Sequence, residues 1–191
     1  MDTRTSVARI LVPLWFGAML ILGAALLAKH VVELPLPLPQ KLASSLSALR
    51  TPVERGKWLA VHVLYAECRC SQRIVRHLLS TTRPTDWREL VLWVGKGEPD
   101  PALDRHFRVQ RITSSELSRL SIEAAPLLVV LDPGDGLRYS GGYSAQKQGP
   151  VLDDLRIFEE SVLSGALAAL PILGCATSDR LRQQLAIVPG L

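Results

Sequence analysis

Two cysteines one residue apart, Cys68 and Cys70, stand where an apolar stretch gives way to a helical pattern, in the order Tyr65-Ala-Glu-Cys-Arg-Cys-Ser71. A helix N-terminus presents unpaired backbone N–H groups and a partial positive charge, and Arg69 and Arg73 add full ones. All of this favours a thiolate over a thiol. The thiolate is the attacking species in disulfide exchange, so Cys68 suits a redox nucleophile, and Cys70 supplies a second sulfur to resolve a mixed disulfide. The chain has 3 cysteines, so one intramolecular disulfide always leaves a thiol over. The third, Cys175, follows Gly174 far along the chain. If the tail folds over the first two, it can exchange with Cys68 or Cys70; otherwise it is a buried, inert residue. Soft thiolates also select Cu(I), so a copper site using the same three sulfurs is a competing chemistry. The histidines do little to complete it: His62 alternates with apolar neighbours and reads as a satisfied core residue, His77 falls on a solvated helix face, and His30 and His106 lie in a spacer and a loop.

The elements that must position these sulfurs follow from periodicity. Residues 58–65 are apolar apart from His62 and rich in Val and aromatics, which predicts a buried strand. Residues 68–79 place Ile74, Val75, Leu78 and Leu79 on one stripe and Arg73, Arg76 and His77 on the other, an amphipathic helix that starts at the cysteines. Residues 90–94 and 107–112 read as two further strands, the first ended by Gly95 and a Gly/Pro/Asp turn at 97–101. Thr113 and Glu116 have capping-box spacing and predict a short helix. After Ala125-Pro126, residues 127–131 form a strand, closed by a turn at 132–136, with 137–140 as its hairpin partner. Residues 151–163 form a closing helix with Asp153, Asp154, Glu159 and Glu160 on its polar face, ended by Gly165. A tail follows, with Ser178-Asp179 capping a last helix that ends near Ala186. Strands and helices in this order describe an α/β fold with a mixed central sheet and flanking helices.

Composition sets the frame around this body. In 191 residues, 48% are hydrophobic, which excludes a disordered chain. The formal charge of +4 is concentrated at the front: residues 1–52 hold five Lys/Arg against two acids, and residues 53–191 hold seventeen against sixteen. No basic stripe interleaved with aromatics is visible, so nucleic acid is not an expected partner. Residues 10–28 carry no charge over nineteen positions, behind Arg4 and Arg9. That matches the ~20 residues needed to cross a bilayer and predicts a single N-terminal transmembrane helix, or an uncleaved signal. Two arginines in a short tail favour keeping that tail in the cytoplasm. Residues 33–39 alternate Pro with other residues and predict an extended spacer. The expected organisation is therefore a membrane anchor over 1–29, a Pro-rich stalk over 30–52, and a globular domain over 53–191 with a C-terminal extension from about 166. No nucleotide-binding glycine loop, zinc-protease helix or serine elbow is present.

Over roughly residues 53–165 the chain resembles the thioredoxin-like superfamily, in its membrane-anchored extracytoplasmic branch. The strand 61–65 running into Cys68, the Ala125-Pro126 step before strand 127–131, and the hairpin leading to Gly141-Gly142 carry the resemblance. It implies a cis Pro126 facing the cysteines and shaping the substrate groove. The family's usual Cys-x-x-Cys is replaced here: aligned on Cys68, its second cysteine position holds Ser71, and Cys70 lies one residue earlier. A Cys-x-Cys ring is strained and easily reduced, which suits an oxidising or isomerising couple. The implied function is thiol–disulfide exchange with protein thiols or disulfides. It would take place on the outer side of the cytoplasmic membrane, facing the periplasm or cell exterior, with no cofactor. Cys68 would attack and Cys70 resolve, and Arg69, Ser71 and Arg73 would support them. The alternatives are a copper-binding or copper-delivery protein on the same fold and a non-catalytic thioredoxin-like module.

Overall fold

The computed structural model describes residues 3–29, 33–146 and 151–187. Two units result, 1–32 with 185–191, and 33–184. The first contains α1 (Thr3–Lys29), a 27-residue helix. On it Leu11, Leu14, Trp15, Phe16, Leu20 and Ile21 are exposed. Among the described residues no helix is long and apolar enough to cross a membrane. The side chains of 10, 27 and 28, part of the expected span, lie outside those described.

The second unit is built on a strand that is apolar on both faces. β1 (Trp58–Tyr65) is buried at every position from 59 to 64. Its side chains alternate between two cores, as a pleated strand requires. Leu59, Val61 and Val63 point into one, and Ala60 and Leu64 into the other. β1 runs parallel to β2 (Trp87–Val94), which runs parallel to β3 (Arg108–Ile112). On its other side β1 is antiparallel to β5 (Leu127–Leu131), itself antiparallel to β6 (Leu137–Gly141). The sheet order is therefore β3-β2-β1-β5-β6.

The even face is covered by α3 (Arg69–Ser80), through Ile74, Val75 and Leu78, and by α6 (Asp154–Ser164), through Ile157 and Phe158. α3 is an amphipathic helix of the kind its sequence stripe predicts. The odd face is covered by α2 (Pro39–Ser47), through Leu42 and Leu46, by Leu117 of α5 (Ser114–Arg119), and by Ile172 and Leu181 from the C-terminal part of the chain. A four-residue turn of helix, α4 (Leu103–His106), leads into β3.

Two stretches read as accessories thus complete the core. In the Pro-rich segment Leu34 is buried and bridges Ile172, its N–H donating to the Ile172 carbonyl at 2.9 Å. From Glu33 on, this segment belongs to the folded unit. The C-terminal extension returns to the sheet's end as β7 (Cys175–Ala176), which pairs with β4 (Ala124–Ala125) in a separate two-stranded ladder before α7 (Asp179–Ile187).

Candidate functional site

β1 delivers the chain to Tyr65, and three residues later α3 begins with Cys68 as its N-cap. The Cys68 N–H donates to the Tyr65 carbonyl at 3.0 Å. Ser71 fixes the same junction from the helix side, its buried hydroxyl accepting the Tyr65 N–H at 3.0 Å. It therefore clamps the backbone between strand and helix. The first turn of α3 holds no acidic residue, so nothing there opposes a negative charge at the helix start.

Cys68 is 0% exposed, and its Sγ lies 3.9 Å from the carbonyl oxygen of Ala125. The Ala125–Pro126 bond that follows is cis. Cys175 sits opposite Ala125 in the β4–β7 ladder. The three sulfurs converge: hydrogen bonding from Cys175 first, then from Cys70, holds the Cys68 thiol well below its ordinary range against the effect of burial, and the backbone at Ser71 and Cys70 adds to this. Cys70 is half-buried and lines a cavity of about 400 Å³ together with Arg69, Arg73, Pro126, Tyr143 and Leu173. The fold thus brings Cys68, Cys70, Cys175 and Pro126 to one place and sets Arg69 and Arg73 on the cavity wall. A sulfur whose thiolate is favoured, beside two further thiols, has the makings of an exchange centre. Among the described residues no group of three or more His, Cys, Asp or Glu is placed to hold a metal ion.

Two neighbours, Gly174 and Tyr65, take part in ways that spacing alone did not show. Gly174 packs so tightly that a Cβ there would lie 1.9 Å from the Ala125 oxygen and 2.5 Å from Pro126 Cδ. The Tyr65 hydroxyl accepts from Arg182 Nη2 at 2.8 Å. Burial pushes this phenol up against the pull of Arg182, with Glu67 and Cys175 adding to the rise.

The histidines and acids away from the sulfurs form a buried network. His62 is fully buried, with Nδ1 2.8 Å from the Tyr143 hydroxyl and Nε2 2.9 Å from Glu89 Oε2, a satisfied core histidine. His77, expected on a solvated face, instead lies with Nε2 2.7 Å from Asp154 Oδ1. Asp154 was expected on a polar surface and is 0% exposed, with Arg83 Nη1 donating to Oδ2 at 2.6 Å. The reason is packing: the N-terminus of α6 abuts α3, so a side chain polar by type is turned inward and needs charged partners.

The five-stranded mixed sheet with helices on both faces is the α/β architecture expected from the sequence. No family model matches the chain, and no curated protein matches it. Among solved structures, an uncharacterized conserved protein from Geobacillus kaustophilus aligns with a TM-score of 0.51 at 13% identity, over 66% of this chain and 79% of that one. A hypothetical protein from Sinorhizobium meliloti 1021 gives 0.49 at 14%, over 65% and 80%. The thioredoxin domain of a thiol-disulfide oxidoreductase from Bacteroides vulgatus gives 0.42 at 17%, over 59% and 83%. At 13% identity the likeness to the Geobacillus kaustophilus protein concerns the fold alone.

Proposed function

We propose that this chain is a membrane-anchored thiol–disulfide oxidoreductase, acting on protein thiols or disulfides outside the cytoplasm. The observation that carries this reading is the placement of the Cys68 sulfur at the N-cap of α3, with Cys70 in the first turn, Cys175 opposite Ala125 and cis-Pro126 alongside. A thiolate is the form that attacks disulfides, and a neighbouring thiol is what releases the product. Arg69 and Arg73 on the cavity wall suit the approach of an anionic sulfur or an acidic partner segment.

The proposed anchor is the uncharged run 10–28, nineteen residues against the ~20 needed to cross a bilayer. Its exposed Leu, Ile, Trp and Phe side chains gain by burial in lipid. Extraction of membranes with alkaline carbonate should leave the full chain in the pellet, whereas release into the supernatant refutes the anchor.

The function is tested on the full chain in mild detergent, by differential alkylation with mass mapping across glutathione redox buffers. A reversible disulfide that includes Cys68 is expected, with a midpoint between about −120 and −270 mV, the span of exchange proteins. Three thiols that stay free and independent at every poise refute the reading. In that event tight binding of one equivalent of Cu(I), lost in Cys68→Ser, selects the copper protein instead.

A further inference from the structure

We propose that residues 173–176 are a built-in occupant of the groove at Pro126, and that Cys175, carried on this segment, is the thiol with which Cys68 closes its intramolecular disulfide. The inference rests on the exchange function above and names the pair and the gate through which it works.

Three observations converge on it. The first is register: Cys175 lies directly opposite Ala125 in the β4–β7 ladder, and the Ala125 carbonyl is the group 3.9 Å from Cys68 Sγ. The ladder therefore carries the third thiol to the nucleophile on backbone pairing alone. The second is fit. Gly174 rests on Ala125 and Pro126 at distances that leave no space for a Cβ, 1.9 Å to the Ala125 oxygen and 2.5 Å to Pro126 Cδ. Only glycine lets the segment come this close. The third is access, because Cys68 is 0% exposed while Cys70 faces the cavity. No external disulfide reaches Cys68 while β7 is in place.

Cys70 is the less suitable partner. It is one residue removed from Cys68 within the first turn of α3, so a bond between them closes a small ring across a helix start. Cys175 comes from a separate segment whose backbone already lies alongside.

The gate is small. β7 and β4 pair over two residues each, Ala124 with Ala176 and Ala125 with Cys175. Beyond them the segment is fastened on one side by Ile172 to Leu34 and on the other by the Thr177 N–H donating to the Glu123 carbonyl at 2.7 Å. Lifting the ladder frees the edge of β4 for an extended segment of a partner, which would pair there by strand addition.

The chemistry then balances within the dithiol and the partner disulfide. Cys68 thiolate attacks one sulfur of the partner's disulfide: the Cys68–partner S–S bond forms, the partner's own S–S bond breaks, and its other sulfur leaves as a thiolate that takes a proton. As β7 returns, Cys175 loses its proton and attacks Cys68 Sγ. The Cys68–Cys175 bond forms, the mixed disulfide breaks, and the second partner sulfur leaves and is protonated. The partner has gained two electrons and two protons; this chain has lost two electrons and the one proton of Cys175, and the other proton comes from solvent. A dithiol protein reverses the sequence. The oxidised state is closed and the reduced state can open.

The test is a non-reducing peptide map of the oxidised full chain, in wild type, Cys70→Ser and Cys175→Ser. A Cys68–Cys175 bond is expected in wild type and in Cys70→Ser, and loss of the Cys68 bond in Cys175→Ser. A Cys68–Cys70 bond that persists in Cys175→Ser overturns this inference and leaves the oxidoreductase reading standing; no Cys68 bond in any of the three overturns both. Gly174→Ala gives an independent readout, since its Cβ forces β7 away from Pro126. Trapping of reduced Cys68 by a maleimide should then be at least tenfold faster than in wild type, and an unchanged rate overturns the gate.

Discussion

Two polar clusters in the unit 33–184 are held in opposite ways. In the first, Glu89 accepts from Arg83 Nε at 3.0 Å and Nη2 at 2.6 Å and meets His62 Nε2 at 2.9 Å, while Asp154 joins Arg83 to His77. Its members come from β1, β2, α3, α6 and the loop after α3, and each carboxylate has a fixed cation. In the second, the Cys68 sulfur has thiols for partners, one on the cavity wall and one on a two-residue ladder. Both satisfy the same requirement, that a buried polar group have hydrogen-bond partners. Guanidinium and imidazole partners locked in the core give rigidity. Partners that can move away, or form a bond, give reactivity.

The comparison breaks most visibly if each cluster is deprived of its central group. Cys68→Ser should abolish disulfide exchange in an insulin-reduction assay while the thermal midpoint stays within a few degrees of wild type. Asp154→Ala should do the reverse. It takes the carboxylate from His77 and leaves Arg83 with Glu89 alone, and losing one partner of a buried ion pair costs up to about 3–5 kcal/mol, read from chemical denaturation. An Asp154→Ala protein of full stability with altered exchange kinetics would erase the distinction between the two clusters.

Titration separates them next. The Cys68 thiol is lowered chiefly by Cys175 and then by Cys70. Thiolate absorbance in the wild-type protein should therefore persist well below neutral pH, and Cys175→Ala should move the curve upward by more than Cys70→Ala does. At Glu89 burial would raise the carboxyl, but hydrogen bonds and charges from His62 and Arg83 bring it down to about 2. A group depressed on folding stabilises the native state above its ordinary pKa and loses that contribution as pH falls through the folded one. Stability should accordingly decline as pH drops from about 4.5 towards 2, and Glu89→Gln should flatten this decline.

The sheet and the position of Cys68 were legible because local pattern determines them. The apolar run at 58–65, the stripe of Ile74, Val75 and Leu78, and the turn before 137–141 each fix one element, and the junction of the first two puts Cys68 at a helix start. What the pattern did not reveal is where the ends go. Residues 33–52 and those after 166 read as a spacer and an extension, yet Leu42, Leu46, Ile172 and Leu181 help to cover one face of the sheet. A clue was available: both faces of β1 are apolar, and α3 and α6 cover only one. The position of Cys175 depends on that same return of the chain, so spacing alone left it open between an exchange partner and an inert residue. Asp154 and His77 were placed on the surface by residue type, which carries no information about a helix packed against their side.

The smallest expected effect concerns Ser71, which occupies the position where the resembling family has its second cysteine. Here its hydroxyl accepts the Tyr65 N–H, and both groups lie at the joint between β1 and α3. Ser71→Ala leaves that N–H without its acceptor inside the protein, a loss of about 1–3 kcal/mol. The Ser71 contribution to the thiolate comes from its backbone rather than its hydroxyl. Exchange rates under conditions where the variant is folded should therefore change less than twofold. A large kinetic effect with little loss of stability would move Ser71 from the scaffold into the reacting cluster, and the boundary between the two clusters would have to be redrawn at the helix start.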